Sequence, residues 1–165
     1  MADEIRTDRL LLRRARMSDL NALHAALSDP DAMRYWSTPP HRTLDESETW
    51  LTSMVDADPA ISDDFILQLD GRVLGKLGCW RLPEIGFLLL RDAWGQGFAG
   101  EALGAYLERR RVIGEPRAIR ADVDPRNAAS LRLLQRHGFV ETGRAPRTWH
   151  VGGEWCDSVY LEVRL

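Results

Sequence analysis

The chain has 165 residues, of which 44% are hydrophobic and 28% charged, and its formal net charge is −3. Length and composition predict a single domain, residues 1–165, with a hydrophobic core. The negative net charge argues against nucleic acid as a partner. The longest uncharged apolar run, Ile85 to Leu90, is too short to span a bilayer.

Cysteine usage and the N-terminus indicate the compartment. The first residues are charged and contain no apolar segment of a signal peptide. Cys79 and Cys156 have neither metal-ligand nor CxxC spacing. We therefore expect a cytoplasmic protein with reduced thiols, no membrane partner and no metal.

Turn and capping signals predict the elements of the first half. Ser18 is a candidate N-cap for the first helix, and Thr43 with Glu46 forms a candidate capping box for the second. Asp70-Gly71 is typical of a type I′ hairpin turn. In chain order we predict a strand at 9–13, a helix from 18 to about 29, a loop at 37–42, a helix from 43 and a hairpin of 65–69 with 72–80.

The second half begins with a short apolar strand at 85–90, whose continuous hydrophobicity indicates a central position in a sheet. Further elements are expected as a helix to about 112, a strand at 118–123, a helix at 127–137 that ends at Gly138, and strands near 139–145 and 154–164. This order predicts an α+β fold, a mixed sheet flanked by helices on both sides.

Three glycines stand between the apolar strand and the following helix, in the segment LRDAWGQGFAGEAL at 90–103. The first amides of a helix have no intrahelical partner, and glycine lets the backbone approach an anion closely. The segment therefore predicts a phosphate site at Gly95, Gly97 and Gly100. A tight turn with close helix packing explains the same glycines.

The same glycines match G-x-G-x-x-G, so a dinucleotide oxidoreductase is an alternative. That motif normally follows the first strand of a βαβ unit, whereas here it follows about the fourth. Asp122 and Asp124 lie near the distance expected for a ribose-binding acid. This alternative predicts affinity for a nicotinamide cofactor.

Nearly the whole chain resembles the GNAT acetyltransferases, in particular the RimJ/RimL-like branch. The resemblance rests on TDRLLLRR, DPDAMRYWSTPP, EIGFLLLRDAWGQGFAGEAL, NAASLRLLQRHGF and GGEWCDSVYLEV, in this order. It implies the acyl-CoA N-acyltransferase fold, a mostly antiparallel sheet that splays between strands four and five. Acetyl-CoA would enter that gap as cosubstrate, with no metal.

The resemblance implies a set of residues for CoA. Pantetheine would pair with the backbone of strand four, the pyrophosphate would bind the amides at the helix start, and Asn127 would contact pantetheine. Asn127 is also a candidate N-cap, and Arg136, which could reach the 3′-phosphate, is equally explained as a solvated arginine. The implied residues are Phe87, Leu88, Leu89, Leu90, Gly95, Gln96, Gly97, Phe98, Ala99, Gly100, Asn127 and Arg136.

Catalytic roles also follow from the resemblance. Glu84 matches the family's general base, and a strand-end acid exposed to solvent is the alternative. His41 and His150 are alternative bases, although a lone histidine is more often a surface or packing residue. The tyrosine that protonates the thiolate in many relatives is replaced by Leu134. Ser130, one turn earlier, is the implied donor, unless its hydroxyl bonds its own helix backbone.

Aromatic residues are concentrated in segments that line the acceptor groove in relatives: Tyr35, Trp36, Trp80 and Trp149, although core packing is the usual role of such side chains. The implied function is transfer of an acetyl group to a primary amine, a protein N-terminus or a small molecule, by direct attack. Because the tyrosine is missing, a non-catalytic acyl-CoA-binding sensor is an alternative. Relatives commonly dimerise, which allows a homodimer here.

Overall fold

A computed structural model describes residues 4–165, which form one eight-stranded sheet flanked by four α-helices. The strands are β1 Glu4–Arg6, β2 Leu11–Arg13, β3 Asp63–Leu69, β4 Arg72–Arg81, β5 Glu84–Leu89, β6 Ala118–Val123, β7 Val140–Val151 and β8 Glu154–Arg164. The α-helices are α1 Leu20–Leu27, α2 Leu44–Val55, α3 Phe98–Ile113 and α4 Ala128–Arg136. Short 3₁₀ turns at Met17–Asp19 and Arg91–Ala93 precede α1 and follow β5.

The strand order is β1-β2-β3-β4-β5-β6-β8-β7, and neighbours run antiparallel except β5 and β6. These two parallel strands share one registered pair, Glu84 with Arg120, and then separate. The predicted mixed sheet with a split is therefore confirmed. The split lies between the fifth and sixth strands because the short strand β1, which sequence reasoning missed, adds one to the count.

The two faces of the sheet carry different helices. On one face, α3 and α4 pack against β5 and β6 through residues such as Tyr106, Leu134 and Ala121. On the other face, α1 and α2 cover β3 and β5 through residues such as Leu27, Leu51 and Ile66. Burial of these apolar side chains is the main stabilising contribution, at about 25 cal/mol per Å² removed from water.

Local signals predicted most turns correctly. Thr43 Oγ1 accepts a hydrogen bond from the Glu46 amide at 3.3 Å, and Glu46 accepts one at 2.6 Å from the amide of Arg42 rather than that of Thr43. The 65–80 hairpin turns at Asp70-Gly71, where both residues have positive φ, as predicted.

The predicted cap at Ser18 is wrong: Asp19 occupies the N-cap position of α1, and its side chain caps no amide of that helix. The Asp19 carboxylate accepts a hydrogen bond from the Arg16 amide at 2.8 Å and two from the Arg13 guanidinium at 2.7 and 2.9 Å. Both members of this pair are buried, so the helix start is determined by an ion pair with β2. A local capping pattern contains no information about that partner.

Each helix within residues 4–165 is either too short or too polar to cross a lipid bilayer.

Candidate active site

The separation of β5 and β6 opens a large cleft, with a volume of about 1170 Å³. Glu84 to Phe87 form one wall and Arg120 to Asp124 the facing wall. The rest of the lining comes from α2 and the loop before it, from β3 and β4, from the start of α4 and from the β7–β8 hairpin. Because β5 and β6 touch only at Glu84 and Arg120, the gap widens toward their carboxyl ends.

The backbone edge of β5 is open along this gap. The Leu90 amide donates to Leu74 in β4, whereas the Pro83 carbonyl accepts from Arg120 in β6. Since backbone groups alternate along a strand, those of Phe87 and Leu89 point toward the gap. The Leu89 carbonyl accepts a hydrogen bond at 3.1 Å from the Trp94 indole.

These contacts reduce the number of backbone groups in 87–90 that could pair with pantetheine. The backbone groups of Leu88 point toward β4, like the Leu90 amide, and the Leu88 side chain is buried under α1 and α2. Leu90 is fully engaged, because its carbonyl also accepts from the Ala93 amide at 2.9 Å. The groups free to pair with a ligand are therefore those of Phe87 and the amide of Leu89.

The glycine-rich segment forms the open N-terminus of α3. Gly97 is the N-cap, with φ +80°, and provides no side-chain cap. Among residues 4–165, no protein acceptor bonds the amides of 95–100, and the first helical bond runs from Glu101 to the Gly97 carbonyl. This geometry is consistent with the phosphate site predicted from the sequence, because the amides at the helix start have no protein acceptor.

The third glycine also serves packing. A Cβ on Gly100 would lie 3.4 Å from the Leu133 side chain, and the Gly100 carbonyl is 2.9 Å from His137 Nε2. Gly100 therefore lets α3 approach α4 closely. The two explanations of the glycines, a phosphate site and a tight turn with close helix packing, are therefore compatible. Gly95 and Gly97 adopt positive φ in the turn, and Gly100 lies at the contact of α3 with α4.

The segment is held from behind by the chain before β2. Arg9 donates to the Gln96 carbonyl at 3.0 Å and to the Glu101 carboxylate at 2.6 Å, and its guanidinium stacks over the Phe98 ring. The Thr7 hydroxyl donates to the same carboxylate at 2.5 Å. Although burial alone would raise the pKa of Glu101, hydrogen bonds from Thr7 and Arg9 lower it. We call Thr7, Arg9 and Glu101 the loop clamp.

The start of α4 lines the cleft with the two predicted polar residues. Asn127 Oδ1 accepts a hydrogen bond from the Ser130 amide at 3.2 Å, so Asn127 caps the helix, and its Nδ2 has no protein partner in the described chain. The Ser130 hydroxyl makes no bond to the helix backbone within residues 4–165. Leu134, at the position of the family's tyrosine, lines the cleft from the core.

Glu84 lies at the point where the two strands meet, and it is exposed to the cleft. Arg120 and Asp122 follow on the same side of β6, since alternate residues share a face. Arg120 forms an ion pair with Glu162 at 3.0 Å, and no ion pair involves Glu84 among residues 4–165. The floor of the cleft is therefore charged and contains a carboxylate available to a ligand.

All four predicted aromatic residues line the cleft: Tyr35, Trp36, Trp80 and Trp149. Trp80 is 60% exposed and Trp149 is 44% exposed, which excludes core packing as their role. The Trp149 indole donates to Asp122 at 2.9 Å, so it is fixed against the β6 wall.

Two groups of interacting polar side chains at the cleft were not predicted, although His41 by itself was a candidate base. Lys76 and Asp64 form a buried ion pair of 2.6 Å on neighbouring strands, and burial raises the pKa of Asp64. Beneath the loop before α2, the Ser47 hydroxyl lies between His24 and His41. A lone lysine in an apolar strand was a signal for the first group, but no spacing rule links the three members of the second.

The predicted CoA residues do not all border this cleft. The lining reaches Phe87, Asn127 and Ser130, whereas the α3 N-terminus and Arg136 are outside it. Arg136 is exposed in the last turn of α4 and forms no ion pair within residues 4–165. An extended ligand would therefore run from the cleft, along β5, to the α3 N-terminus.

Comparison with known proteins identifies this arrangement. The profile of the acetyltransferase (GNAT) domain matches residues 9–140. N-acetyltransferase p20 of Bacillus licheniformis is 27% identical over 146 residues, which are 83% of this chain and 82% of that protein. A GNAT-family acetyltransferase of Bacillus anthracis superposes with a TM-score of 0.85 at 24% identity, covering 98% of both chains.

A second solved structure has the same fold. It is the Salmonella typhimurium acetyltransferase that modifies the N-terminal serine of ribosomal protein L7/L12, with a TM-score of 0.85, 18% identity and 96% of each chain covered. The profile match extends over most of this sequence, so the chain belongs to the GNAT family of acetyltransferases.

Proposed function

We propose that this protein is an N-acetyltransferase that transfers the acetyl group of acetyl-CoA to a primary amine. The observation that carries the proposal is the split between β5 and β6, which exposes an unpaired strand edge beside a cleft of about 1170 Å³. A ligand with an extended amide-containing arm can add to such an edge as a further strand. Acetyl-CoA supplies the activated thioester.

The chain's own groups fit the two ends of CoA. The free amides of 95–100 and the positive end of the α3 dipole suit a diphosphate. The Phe87 backbone and Asn127 Nδ2 offer hydrogen bonds to the pantetheine amides. Arg136 is the proposed contact of the 3′-phosphate.

The reaction requires the amine to lose two protons, one from its ammonium form before attack and one after the C–N bond forms. Glu84 is our proposed acceptor of the second proton, since it is the free carboxylate at the junction of the strands. As the C–S bond breaks, the thiolate takes one proton. Ser130, whose hydroxyl is free of protein partners in the described chain, is the proposed donor; it regains a proton from solvent, to which Glu84 releases the one it accepted.

The acceptor end of the cleft is bordered by Tyr35, Trp36, Trp80 and Trp149. These side chains give the acceptor an apolar, aromatic wall next to a charged floor. A relative of the same fold modifies a protein N-terminus. For this chain we infer only the class of acceptor, a primary amine on a peptide or a small molecule.

The test is release of free thiol from acetyl-CoA with a panel of acceptors: peptides with different N-termini, amino acids and small amines. We expect acceptor-dependent thiol release that saturates in both substrates. Tight CoA binding with no thiol release for any acceptor would favour the second candidate, an acyl-CoA-binding sensor. Leu134 in place of the family's proton-donating tyrosine is the observation that supports that candidate.

Glu84→Gln separates the two candidates. We expect at least a hundredfold loss of kcat with an unchanged Kd for CoA, because removing a positioned general base typically costs 10²–10⁴ in rate. Calorimetric CoA titration and the thiol assay measure the two quantities. Unchanged turnover in Glu84→Gln would contradict the proposed role of Glu84 as a base. Glu162→Gln is the matched control, because it removes the charge of another carboxylate that lines the same cleft.

A further inference from the structure

A polar group of three side chains lies beneath the acceptor end of the cleft. His24 belongs to α1, Ser47 to α2, and His41 to the loop between them. Ser47 Oγ is 2.7 Å from His24 Nδ1 and 2.8 Å from His41 Nδ1. Ser47 is fully buried, and the His41 amide donates to the Leu27 carbonyl at 2.7 Å. Both the side chain and the backbone of His41 are therefore held in position.

The hydroxyl of Ser47 has a single proton, so it can donate to only one of the two imidazoles. The other imidazole must donate its own Nδ1 proton to Oγ. The tautomers of His24 and His41 are therefore coupled. When Ser47 donates to His24, His41 carries its proton on Nδ1 and has a lone pair on Nε2.

His41 is among the residues that line the cleft, and its Nδ1 points to the buried Ser47. Nε2 has no hydrogen-bond partner among residues 4–165, so it is the ring nitrogen left for a ligand. If His41 takes up a proton at Nε2, its Nδ1 proton still bonds Ser47. This tautomer therefore accepts a proton without any rearrangement of its neighbours.

The surroundings favour a neutral imidazole at rest. Burial lowers the pKa of His41, His24 lowers it further, and the Glu46 carboxylate on α2 opposes them. Other charged side chains line the same cleft. On the near side they are Arg34 of the same loop, the Asp64–Lys76 pair and Glu84; on the far side they are Arg120, Asp122, Asp124, Glu154, Asp157 and Glu162.

We propose that His41 is a further catalytic residue, which removes the first proton from the ammonium group of the acceptor. This inference rests on the proposed function. The N–H bond of the ammonium breaks, an N–H bond forms at His41 Nε2, and the freed lone pair attacks the thioester carbon. The proton then passes from the imidazolium to solvent at the cleft mouth, so Glu84 remains available for the second proton. Ser47 and His24 are positioning residues.

The experiment compares His41→Asn and His41→Gln with the unchanged protein in the thiol assay between pH 6 and 9. Asparagine keeps a polar atom near the position of Nδ1, so it preserves the contact with Ser47 and removes only the base. We expect kcat/KM of His41→Asn to fall at least a hundredfold at pH 7. The deficit should narrow about tenfold per pH unit, because the amine then loses its first proton to solvent.

Glu84→Gln should show no such recovery with pH, since the second proton is lost only after attack. Ser47→Ala should give a smaller deficit with the same pH dependence. ¹⁵N NMR of the histidines gives an independent reading, and we expect the Nδ1–H tautomer for His41 at pH 7.

Two results overturn the inference alone: kcat/KM of His41→Asn within twofold of the unchanged protein across this pH range, or an Nε2–H tautomer for His41. Absence of thiol release from the unchanged protein with every acceptor would overturn the proposed function and this inference together. CoA titration of His41→Asn and its thermal unfolding show whether the variant is folded.

Discussion

Two helices begin beside the proposed path of CoA, and their N-termini differ. At α4, Asn127 caps the helix by accepting from the Ser130 amide. At α3, the N-cap is Gly97 in a left-handed conformation, with no side chain to accept. One helix therefore satisfies an exposed donor with its own sequence, and the other leaves its donors to solvent or a ligand. An open N-terminus costs stability, since a good cap contributes about 1 kcal/mol.

The open end of α3 is nevertheless held in place by side-chain contacts. The loop clamp holds it through Arg9, which bonds both the Gln96 carbonyl and the Glu101 carboxylate. The clamp contacts carbonyl and carboxylate oxygens and leaves the amides free. The comparison teaches that a helix N-terminus can be held in place by groups that do not compete for its free amide donors.

The largest effect is expected from closing the α3 N-terminus with charge. Ala99→Asp places a carboxylate in the first turn, where it stabilises the helix by about 0.3–1 kcal/mol but repels a diphosphate. We expect the Kd for CoA to rise at least tenfold while the melting temperature stays equal or increases. Calorimetric titration and thermal unfolding measure these quantities.

Ala99→Asn is the matched control for this variant, since it has the same size without the charge. Its effect on Kd should be clearly smaller. Equal weakening by the two variants would mean that steric exclusion, rather than the helix dipole, dominates at this position.

A smaller effect is expected from removing the cap of α4. Asn127→Ala should cost about 0.5–2 kcal/mol in the free energy of unfolding, because the Ser130 amide loses its acceptor. Asn127→Asp keeps the acceptor and removes the Nδ2 donor. We therefore expect near-normal stability but a raised KM for acetyl-CoA in Asn127→Asp, measured by urea unfolding and the thiol assay. A normal KM would leave Asn127 as a cap only.

The smallest effect concerns the loop clamp and depends on pH. Since the pKa of Glu101 is lowered in the folded state, its carboxylate stabilises the protein above its ordinary pKa of 4.5, and this contribution is lost as the pH falls through the folded value. Glu101→Gln should thus cost about 0.5–1 kcal/mol at pH 7 and less at lower pH. Urea unfolding at several pH values tests this, and a pH-independent difference would contradict it.

The sequence by itself determined the elements whose signals are local. The hairpin at Asp70-Gly71, the cap at Thr43, the strand over Ala118–Val123 and the open glycine segment each depend on residues within a few positions. Glu84, Ser130 and the four aromatic residues were predicted through resemblance, and the structure gathers them in one cleft. Their catalytic and binding roles remain predictions.

Only the tertiary structure decided which distant groups meet. Asp19 rather than Ser18 starts the first helix because Arg13 lies beside it in the folded chain. The His24, Ser47 and His41 contacts form because two helices pack on the same face of the sheet. The width of the cleft follows from the single registered pair between β5 and β6. Local patterns encode backbone conformation, whereas these contacts depend on how whole elements pack, which short-range spacing does not specify.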